Sequence, residues 1–535
     1  MRGRGATASV PAPRPASGIM CGMTATTYHD TRGLDLDART FTDIVVRGIA
    51  PGGGLYVPDE LPSFSLEEIL AFSAMPYWQR AAAVFSAFGV DVPEARIAEL
   101  MQRAYGEQFD DERIAPIEEV VPGTWVLELW HGPTSAFKDM ALQCMPQFFS
   151  EAIEQRRAQG LESHDYLILV ATSGDTGKAA LDGFADRDHT GIVVFYPADG
   201  VSDIQRKQMV TQGGDNVGVF GVRGNFDDCQ TAVKAAFADK AFAQELASKH
   251  NLTLSSANSI NWGRLLPQIA YYVSAYADLV VAGGVVAGQP VDVCVPTGNF
   301  GNILGAYYAK RIGVPIGRMI VASNENRVLA DFIASGVYDI RERRFVTTPS
   351  PSMDILISSN LERLLYELTR DPAAVAGWMA SLASDGCFRV DPETFRVLRE
   401  LFSADYVSND ESLETIHEVF TETGYLLDPH TAVAWEVAER LRERDPVLVV
   451  STAHWAKFGG DVYKALAELP YDDVLPDGIR ELSGVELLAR VQELTEDSVQ
   501  VPKSLAELDD LAERFTNVVS TGRDGIEGAV RTWLG

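Results

Sequence analysis

Between residues 166 and 255, short apolar runs rich in β-branched residues alternate with amphipathic runs of helical length. The predicted strands are Tyr166–Ala171, Ile192–Tyr196, Val217–Val222 and Leu252–Ser255. The predicted helices are Lys178–Ala185, Asp203–Gln212, Phe226–Ala238 and Phe242–Lys249. This alternation leaves few topologies, because strands joined by helices form a parallel sheet with right-handed crossovers. We therefore expect a small parallel α/β domain at residues 161–256.

A second set of strands predicts a second parallel sheet. These strands are Val291–Val295, Met319–Ala322 and Val447–Ser451. A mostly helical stretch, at about residues 324–445, separates the last two and is expected to be an insertion. Residues 124–160 and 257–535 are together expected to form a larger domain, whose last segment, Ser504–Trp533, is predicted to be helical.

Before these sheets, residues 23–123 are expected to form a helical N-terminal domain. The helical patterns are Leu66–Phe72, Trp78–Phe88 and Pro93–Tyr105. Residues 1–22 contain arginines and prolines but no acidic residue, and they lack the apolar core of a signal peptide. We expect these 22 residues to be a disordered extension, with the functional chain beginning at Met23.

Length, net charge and cysteine content exclude several classes of protein. A chain of 535 residues is too long for one simple core, so about two to four domains are expected. Its net charge of −30 should repel nucleic acids and anionic membranes. An anionic substrate would be repelled as well, so a phosphate site must be locally basic or rich in backbone N–H groups. The five scattered cysteines form no CxxC pair, which argues against a disulfide framework or a zinc site and fits a reducing cytoplasm.

Lys138 is predicted to lie at a corner between a strand and a helix. The apolar run Thr124–Trp130 predicts a strand, Gly132-Pro133 turns the chain, and an amphipathic helix follows near Met140–Ile153. A lysine partly buried in apolar surroundings loses its proton more readily and becomes a nucleophilic amine, suited to a Schiff base with an aldehyde cofactor. The alternative is an ordinary surface lysine at a helix start.

A first loop with binding potential is residues 171–177, between a predicted strand and a predicted helix. Backbone N–H groups at that helix start can hold an anion, and the hydroxyls of Ser173 and Thr176 would add two donors. The loop is not a P-loop, because Thr172 stands where that pattern needs glycine. The alternative is plain helix capping by Ser, Asp or Thr.

A second loop, residues 296–302, follows the strand Val291–Val295. Gly298 and Gly301 allow the backbone to wrap closely around a phosphate at the start of the next helix. The loop also lies at the carboxyl end of a strand, where ligands bind in α/β sheets. The alternative is a tight turn with an asparagine in the left-handed conformation.

A third segment, residues 257–264, follows the strand Leu252–Ser255 and opens a helix. Asn258, Ser259 and Arg264 could together bind a phosphate or carboxylate, with the guanidinium offering two parallel donors. The alternative is that Asn or Ser only caps the helix and that Arg264 is a solvated side chain.

Taken together, these segments resemble the threonine synthase family, in its longer bacterial and fungal branch, from about Tyr28 to Leu466. The motifs that carry the resemblance are Tyr28, Thr31-Arg32-Gly33, Gly54-Leu55-Tyr56-Val57-Pro58, His131-Gly132-Pro133-Thr134, Ala136-Phe137-Lys138-Asp139, Thr172 to Gly177, Ala257 to Arg264, Gly298 to Asn302, Ser350 to Ile355 and Ser451-Thr452-Ala453-His454. Several motifs in family order are a far more specific signal than any single glycine-rich loop.

The resemblance implies pyridoxal 5′-phosphate (PLP) as cofactor and an α/β fold of the tryptophan-synthase-β type. That fold has two parallel-sheet domains, here with a helical N-terminal domain and a helical insertion. The resemblance also implies that Lys138 is the catalytic Schiff-base lysine. The implied cofactor-binding residues are Lys138, Gly298, Asn299, Phe300, Gly301 and Asn302, which hold its phosphate or aldehyde end, and Thr452, which faces its pyridine nitrogen. The implied substrate-binding residues are Ser173, Asp175 and Thr176 at the α-carboxylate, and Asn258, Ser259 and Arg264 at the substrate phosphate.

The implied reaction converts O-phospho-L-homoserine and water to L-threonine and phosphate, by elimination of phosphate and addition of water at Cβ. One alternative is another PLP-dependent lyase, either a phospho-lyase or a threonine or serine dehydratase. The segment 258–264 argues against simple dehydratases, which need no second phosphate site. A non-catalytic sensor with this fold is the other alternative, and the intact Lys138 argues against it. We expect a cytoplasmic monomer or homodimer with a small-molecule substrate and with no metal, nucleic-acid or membrane partner.

Overall fold

The computed structural model describes residues 25–444 and 446–535. The predicted N-terminal extension, residues 1–22, lies outside the described residues. The strands are β1 Tyr28–Asp30, β2 Tyr56–Pro58, β3 Ile117–Val121, β4 Thr124–Glu128, β5 Asp165–Ala171, β6 Thr190–Pro197, β7 Val217–Arg223, β8 Leu252–Ser255, β9 Val291–Pro296, β10 Ile316–Ser323, β11 Val337–Asp339, β12 Cys387–Arg389, β13 Phe402–Tyr406, β14 Val447–Ser451 and β15 Val518–Ser520.

The helices are given in the same order. They are α1 Phe41–Arg47, α2 Leu66–Ala71, α3 Tyr77–Ala87, α4 Glu94–Ala104, α5 Lys138–Leu142, α6 Met145–Ala158, α7 Asp175–Phe184, α8 Asp203–Val210, α9 Phe226–Ala238, α10 Lys240–His250, α11 Trp262–Ala282, α12 Gly301–Arg311, α13 Val328–Ser335, α14 Leu361–Thr369, α15 Pro372–Asp385, α16 Pro392–Leu401, α17 Asn409–Thr423, α18 Pro429–Leu441, α19 Gly459–Leu466, α20 Gly484–Leu494, α21 Lys503–Ala506 and α22 Arg523–Leu534. Short 3₁₀ helices lie at Phe72–Ala74, Pro351–Met353, Trp455–Phe458 and Leu508–Asp510.

The N-terminal part combines the helices α1–α4 with a two-stranded antiparallel sheet of β1 and β2. Helix α1 begins at a capping box, in which the Thr40 side chain accepts from the Asp43 N–H and the Asp43 carboxylate accepts from the Thr40 N–H. Helix α1 packs on α6 and α3 packs on α11, so this part rests against the central helices. The three predicted helices are found, and the small sheet is an addition to them.

The larger sheet has the strand order β13-β10-β9-β14-β4-β3. Neighbouring strands are parallel except for β3, which is antiparallel to β4. Strands β4, β9 and β14 are buried along their whole length, as expected for a parallel sheet covered by helices on both faces. The second predicted parallel sheet is therefore confirmed, and the carboxyl ends of its parallel strands lie along one edge.

The smaller sheet has the order β15-β7-β6-β5-β8, with every neighbouring pair parallel. Four of its strands are those that the alternation in residues 166–255 predicts. The fifth strand, β15, comes from the C-terminal part of the chain.

The C-terminal segment contradicts two predictions. Residues 504–533 were expected to be helical, but only α22 is a long helix and β15 is extended. The same residues were expected to belong with the larger sheet, but β15 pairs with β7 and the indole N–H of Trp533 donates to the carbonyl of Val217 at 3.0 Å. A three-residue strand has no readable periodicity, and its partner lies far earlier in the chain. The other domain boundaries stay predictions.

The stretch at about residues 324–445 is mostly helical, as predicted, and it also contains three strands. Strands β11 and β12 form an antiparallel pair. Strand β13 pairs in parallel with β10 and forms one edge of the larger sheet. Part of this stretch therefore belongs to the larger sheet. The helical periodicity of the surrounding residues gives no indication of these short strands.

Helix α11 is the long core helix of the fold. Its 21 residues are apolar enough to cross a membrane, but 78% of its most apolar window is buried inside the protein. It packs against α3, α5 and α12. Residues 257–261 lead directly into α11, and the first turn of the helix is buried.

Candidate active site

Lys138 is the first residue of α5 and its side chain is buried, with 8% of the residue exposed. The predicted corner is found, because β4 ends at Glu128 and the chain turns before α5 begins. The predicted helix after it is divided into α5 and α6. The Lys138 Nζ donates to the Ser352 Oγ at 2.7 Å and lies 3.2 Å from the Asp175 Oδ2. The surface-lysine alternative is therefore wrong.

The pKa of the Lys138 ammonium is lowered from its ordinary value. Burial is the main cause, and the positive charges of Lys457 and Arg264 act in the same direction, whereas Asp175 opposes them. A lowered pKa favours the neutral amine, which is the form that acts as a nucleophile or base.

Asp175, at the start of α7, does not line the cavity where a substrate carboxylate would bind. Its Oδ1 accepts from the Gln205 Nε2 at 2.9 Å and lies 3.1 Å from the Lys457 Nζ. Its Oδ2 accepts from the Ser352 Oγ at 3.1 Å as well as from Lys138. Burial opposes ionisation of this carboxyl, but the two lysines outweigh it and hold its pKa well below the usual range. The expected contact of Asp175 with the substrate carboxylate is thus not supported, because two carboxylates would repel each other.

The loop between β5 and α7 leaves two hydroxyl groups for a ligand. The Thr172 Oγ1 accepts from the N–H groups of Gly174 and Gly177, at 3.0 and 2.9 Å. Thr172 therefore does the local capping, and the hydroxyls of Ser173 and Thr176 make no hydrogen bond to any described residue. Both residues line the cavity, as the anion-site hypothesis requires.

The loop at residues 296–302 connects β9 to α12, and Phe300 precedes the helix in the left-handed conformation, with φ of 60°. A Cβ added at Gly298 would lie 2.6 Å from the carbonyl oxygen of Ser352, so only glycine fits there. The Asn302 Oδ1 accepts from the hydroxyls of Tyr271 and Tyr272, at 2.6 and 2.5 Å. These two hydrogen bonds fix the orientation of the amide, and its Nδ2 donor remains available for a ligand.

The Asn302 Nδ2 is buried and has no hydrogen-bond partner among the described residues. Buried polar atoms are almost always paired, so this donor indicates a missing acceptor. Together with the backbone N–H groups at the start of α12, it suits a phosphate group. Asn299, Phe300 and Gly301 line the same cavity. The residues present therefore fit the phosphate of the expected cofactor.

Arg264 lies in the first turn of α11, with only 3% of its surface exposed. One Nη donates to the carbonyl of Ala257 at 3.0 Å. Among the described residues, the Nε has no partner and no acidic side chain pairs with the guanidinium. Burial lowers its pKa to about 10, so it is still a cation at neutral pH. The solvated-arginine alternative is wrong, and the cap of α11 is Asn261, whose side chain accepts from the Gly263 N–H at 2.9 Å.

Asn258 and Ser259 are therefore not needed as caps, and both line the cavity with Arg264. The Ser259 Oγ lies 3.4 Å from the Ser359 Oγ. A buried cation with unused N–H donors, flanked by an amide and a hydroxyl, is an anion-binding arrangement. In a chain of net charge −30, it supplies the locally basic site that the composition demands.

Thr452 directly follows β14 and lines the cavity. Its carbonyl accepts from the N–H of Phe137 at 2.8 Å, which ties the end of β14 to the residue before Lys138. The Thr452 hydroxyl makes no hydrogen bond to any residue in the described ranges. It can therefore donate to a ligand atom.

The predicted residues meet in one cavity of about 540 Å³ between the two sheets. Its lining includes every predicted site residue except Asp175, which sits behind Lys138. Sequence reasoning assigned no role to three residues in contact with this site. Ser352 holds Lys138, the His430 Nε2 accepts from the Ser352 N–H at 3.2 Å, and Lys457 pairs with Asp175. The motif at 350–355 pointed to Ser352, whereas His430 and Lys457 carry no local signal.

Three family models match the chain in order. They are "Threonine synthase N terminus" over residues 27–105, "Pyridoxal-phosphate dependent enzyme" over residues 113–453 and "Threonine synthase, C-terminal" over residues 431–530. The resemblance seen in the motifs is therefore confirmed along nearly the whole described chain.

Curated relatives agree with the family models. The chain is 44% identical to the human protein "Threonine synthase-like 1" over 441 residues, which are 81% of this chain and 58% of that protein. The chain thus spans a little over half the length of these relatives. It is 39% identical to the threonine synthase of Pseudomonas aeruginosa over 445 residues, covering 82% of this chain and 90% of that one.

A solved structure shares the whole fold. The PLP-bound threonine synthase from Brucella melitensis superposes with a TM-score of 0.82 and 37% identity, covering 95% of this chain and 99% of that chain. The expected fold class is confirmed, and so is PLP as the expected cofactor. The chain therefore belongs to the threonine synthase family of pyridoxal-phosphate-dependent enzymes.

Proposed function

We propose that this protein is a threonine synthase, which converts O-phospho-L-homoserine and water to L-threonine and phosphate. The observation that carries the proposal is Arg264, a buried cation to which no carboxylate in the described part of the chain is paired, in the same cavity as the loop at residues 298–302. One cavity then contains two anion-binding elements beside Lys138. The cofactor phosphate accounts for the loop, and a phosphorylated substrate accounts for Arg264.

The cofactor would be held at three points. Lys138 would bind its aldehyde carbon, the loop at 298–302 would hold its phosphate through Asn302 and backbone N–H groups, and the Thr452 hydroxyl would donate to its ring nitrogen. When bound, the cofactor supplies an electron sink for the negative charge left at the substrate Cα.

The substrate would be oriented by the remaining residues. The hydroxyls of Ser173 and Thr176 would donate to its carboxylate, and Asn258, Ser259 and Arg264 would bind its phosphate. Holding both ends of the substrate would place its Cα and Cβ protons within reach of Lys138.

Proton transfer in the reaction is assigned to Lys138. Its neutral amine removes the Cα proton and passes it to an oxygen of the substrate phosphate. The amine, neutral again, then removes a Cβ proton, while Arg264 stabilises the charge that grows on the phosphate as it leaves Cγ. Protonation at Cγ, addition of water at Cβ and protonation at Cα then give threonine.

The test is to follow phosphate release and threonine formation together, with purified protein, PLP and O-phospho-L-homoserine. We expect equal amounts of both products, and neither from Lys138→Ala. Release of phosphate without threonine would favour a phospho-lyase instead. Formation of a keto acid from unphosphorylated threonine or serine, with no reaction of the phosphorylated substrate, would favour a dehydratase.

We also propose a cytoplasmic location, a role in threonine biosynthesis and a monomeric or homodimeric state, without nucleic-acid or membrane partners. The net charge of −30 and the free state of Cys144, Cys229, Cys294 and Cys387 support this proposal. Light scattering during gel filtration would report the oligomeric state, and cell fractionation would report the location.

A further inference from the structure

Lys457 is a fully buried lysine next to the candidate active site. It lies in the 3₁₀ helix that follows β14, and its side chain has 0% exposure. Its Nζ donates to the Thr134 carbonyl at 2.8 Å and to the Gln208 Oε1 at 3.0 Å, and it lies 3.1 Å from the Asp175 Oδ1. Each of these three atoms is an acceptor, so the site matches the three donors of an ammonium group.

Lys138 shares the same counter-ion but has a different set of partners. It faces the other carboxylate oxygen of Asp175 at 3.2 Å, and its second partner is the Ser352 hydroxyl at 2.7 Å. The Ser352 hydroxyl accepts from the Lys138 ammonium while its own proton donates to the Asp175 Oδ2 at 3.1 Å, and rotation of that proton would let it donate to a neutral amine instead. The surroundings of Lys138 therefore accommodate both protonation states, whereas those of Lys457 accommodate only the charged one.

One carboxylate cannot neutralise two buried ammonium groups. With Arg264 also buried nearby, the cluster would hold an excess of positive charge in a site of low polarity, which is costly. The excess is relieved if one lysine loses its proton. The partner sets described above indicate that Lys138 is the one that does so.

We propose that Lys457 is a positioning residue. It forms the ion pair with the Asp175 carboxylate, and Lys138, left without a counter-ion, is kept as a neutral amine. This inference rests on the proposed function, which needs Lys138 as a nucleophile and base. The lowered pKa of Lys138 agrees with it: burial has the largest effect, and the charge of Lys457 lowers the pKa further. The other charged or titratable groups near the cluster are Arg264 on α11, His430 on α18, Asp139 on α5 and Lys178 on α7.

The test measures the pKa of Lys138 in protein free of cofactor, so that it does not depend on turnover. The protein is labelled with trace acetic anhydride at a series of pH values, and the acetylation of Lys138 is quantified by mass spectrometry. In Lys457→Met the Asp175 charge acts on Lys138 alone, so its pKa should rise by about one unit or more. Below that pKa, the neutral fraction at a given pH falls about tenfold for each unit.

Two further variants test whether the pKa of Lys138 also responds to the charge of Asp175. Asp175→Asn removes the opposing charge and should lower the pKa of Lys138. The double variant, Lys457→Met with Asp175→Asn, removes one charge of each sign and should return the pKa toward the wild-type value. If Lys457 acts through the shared carboxylate, Lys457→Met should raise the pKa of Lys138 less when residue 175 is already Asn than it does in the wild-type background, and this departure from additivity measures the coupling. Strictly additive shifts would mean that the two charges act on Lys138 independently, and they would overturn the role given to the shared carboxylate.

Lys178→Met is the matched control, because only 13% of the Lys178 side chain is exposed and it does not contact Asp175. It should leave the Lys138 titration unchanged. Lys457→Gln keeps a donor for the Thr134 carbonyl without the charge, so it should show the same raised pKa even if Lys457→Met folds poorly. An unchanged or lowered Lys138 pKa in the folded Lys457 variants would overturn the inference.

The holoenzyme gives a second readout. The acid side of the pH profile of kcat should move to higher pH in Lys457→Gln, because kcat reports groups in the substrate complex, where Lys138 would be released from the cofactor and act as the base. The two proposals fail differently: a wild-type protein that makes no threonine contradicts the proposed function and leaves the labelling result standing. Unshifted labelling with normal threonine formation contradicts only the role of Lys457.

Discussion

Replacing Arg264 with methionine tests whether this residue binds the substrate or stabilises the fold. Methionine matches the arginine side chain as far as Nε and is apolar, so it keeps the packing of the stem in the first turn of α11 while it removes the charge and the N–H donors. The Arg264 guanidinium uses one N–H on the Ala257 carbonyl, and its Nε has no partner among the described residues. Its remaining donors are available to a substrate phosphate.

The size of the expected loss in kcat/KM follows from the burial of Arg264. Losing a charge-assisted bidentate contact to a desolvated phosphate costs about 2 to 5 kcal/mol. Since about 1.4 kcal/mol corresponds to a factor of ten, kcat/KM for O-phospho-L-homoserine should fall by about 30-fold or more. The stability of the substrate-free protein should change in the opposite direction, because an unpaired buried cation is itself destabilising. Tm should stay the same or rise.

The assay combines kcat/KM, the PLP content and Tm for each variant. Arg264→Lys keeps the charge but loses the planar pair of donors, so it should fall between wild type and Arg264→Met. Arg363 is a matched control, because it is equally buried but donates to the carbonyls of Tyr56 and Ile260. Arg363→Met should lower Tm, since those acceptors lose their donors.

Two results would refute the reasoning about Arg264. One is a folded Arg264→Met variant with wild-type kcat/KM. The other is a variant that purifies without PLP and regains activity with excess cofactor, which would mean that Arg264 grips the cofactor phosphate and that the two phosphate sites are exchanged.

Three other perturbations test separate parts of the site. Lys138→Ala should abolish threonine formation, because the base and the point of cofactor attachment are lost together; near wild-type turnover would contradict the assignment. Thr452→Asp should shift the absorbance of bound PLP and lower the ratio of threonine to keto-acid by-product, because a carboxylate stabilises a protonated ring nitrogen; an unchanged spectrum and product ratio would place Thr452 away from the ring nitrogen. Burial opposes the charge of His131, but hydrogen bonds to Asp110 and Glu128 outweigh it and raise its pKa to about 9. This pairing stabilises the fold fully below the unfolded pKa of about 6.5 and is lost as the pH rises through about 9, so His131→Gln should flatten the dependence of Tm on pH in that window.

Much of the fold can be predicted from local patterns. The alternation in residues 166–255 suffices for a parallel sheet, because buried strands need continuous apolar runs and parallel connections need crossover helices. The loops at 171–177 and 296–302 each follow a predicted strand. Since ligands bind at the carboxyl ends of strands in α/β sheets, the sequence alone suffices to make each loop a candidate ligand site.

Charge pairing and edge strands depend on the tertiary structure. Lys457 and Asp175 are far apart in sequence, and they meet because β14 and β5, from different sheets, end at one cavity. Whether Arg264 is solvated or buried depends on how α11 packs in the centre of the molecule. The pairing of β15 with β7 likewise joins two distant segments. Local propensity and periodicity act over a few residues, whereas counter-ions, burial and edge-strand partners are determined by distances in space that exist only once the chain has folded.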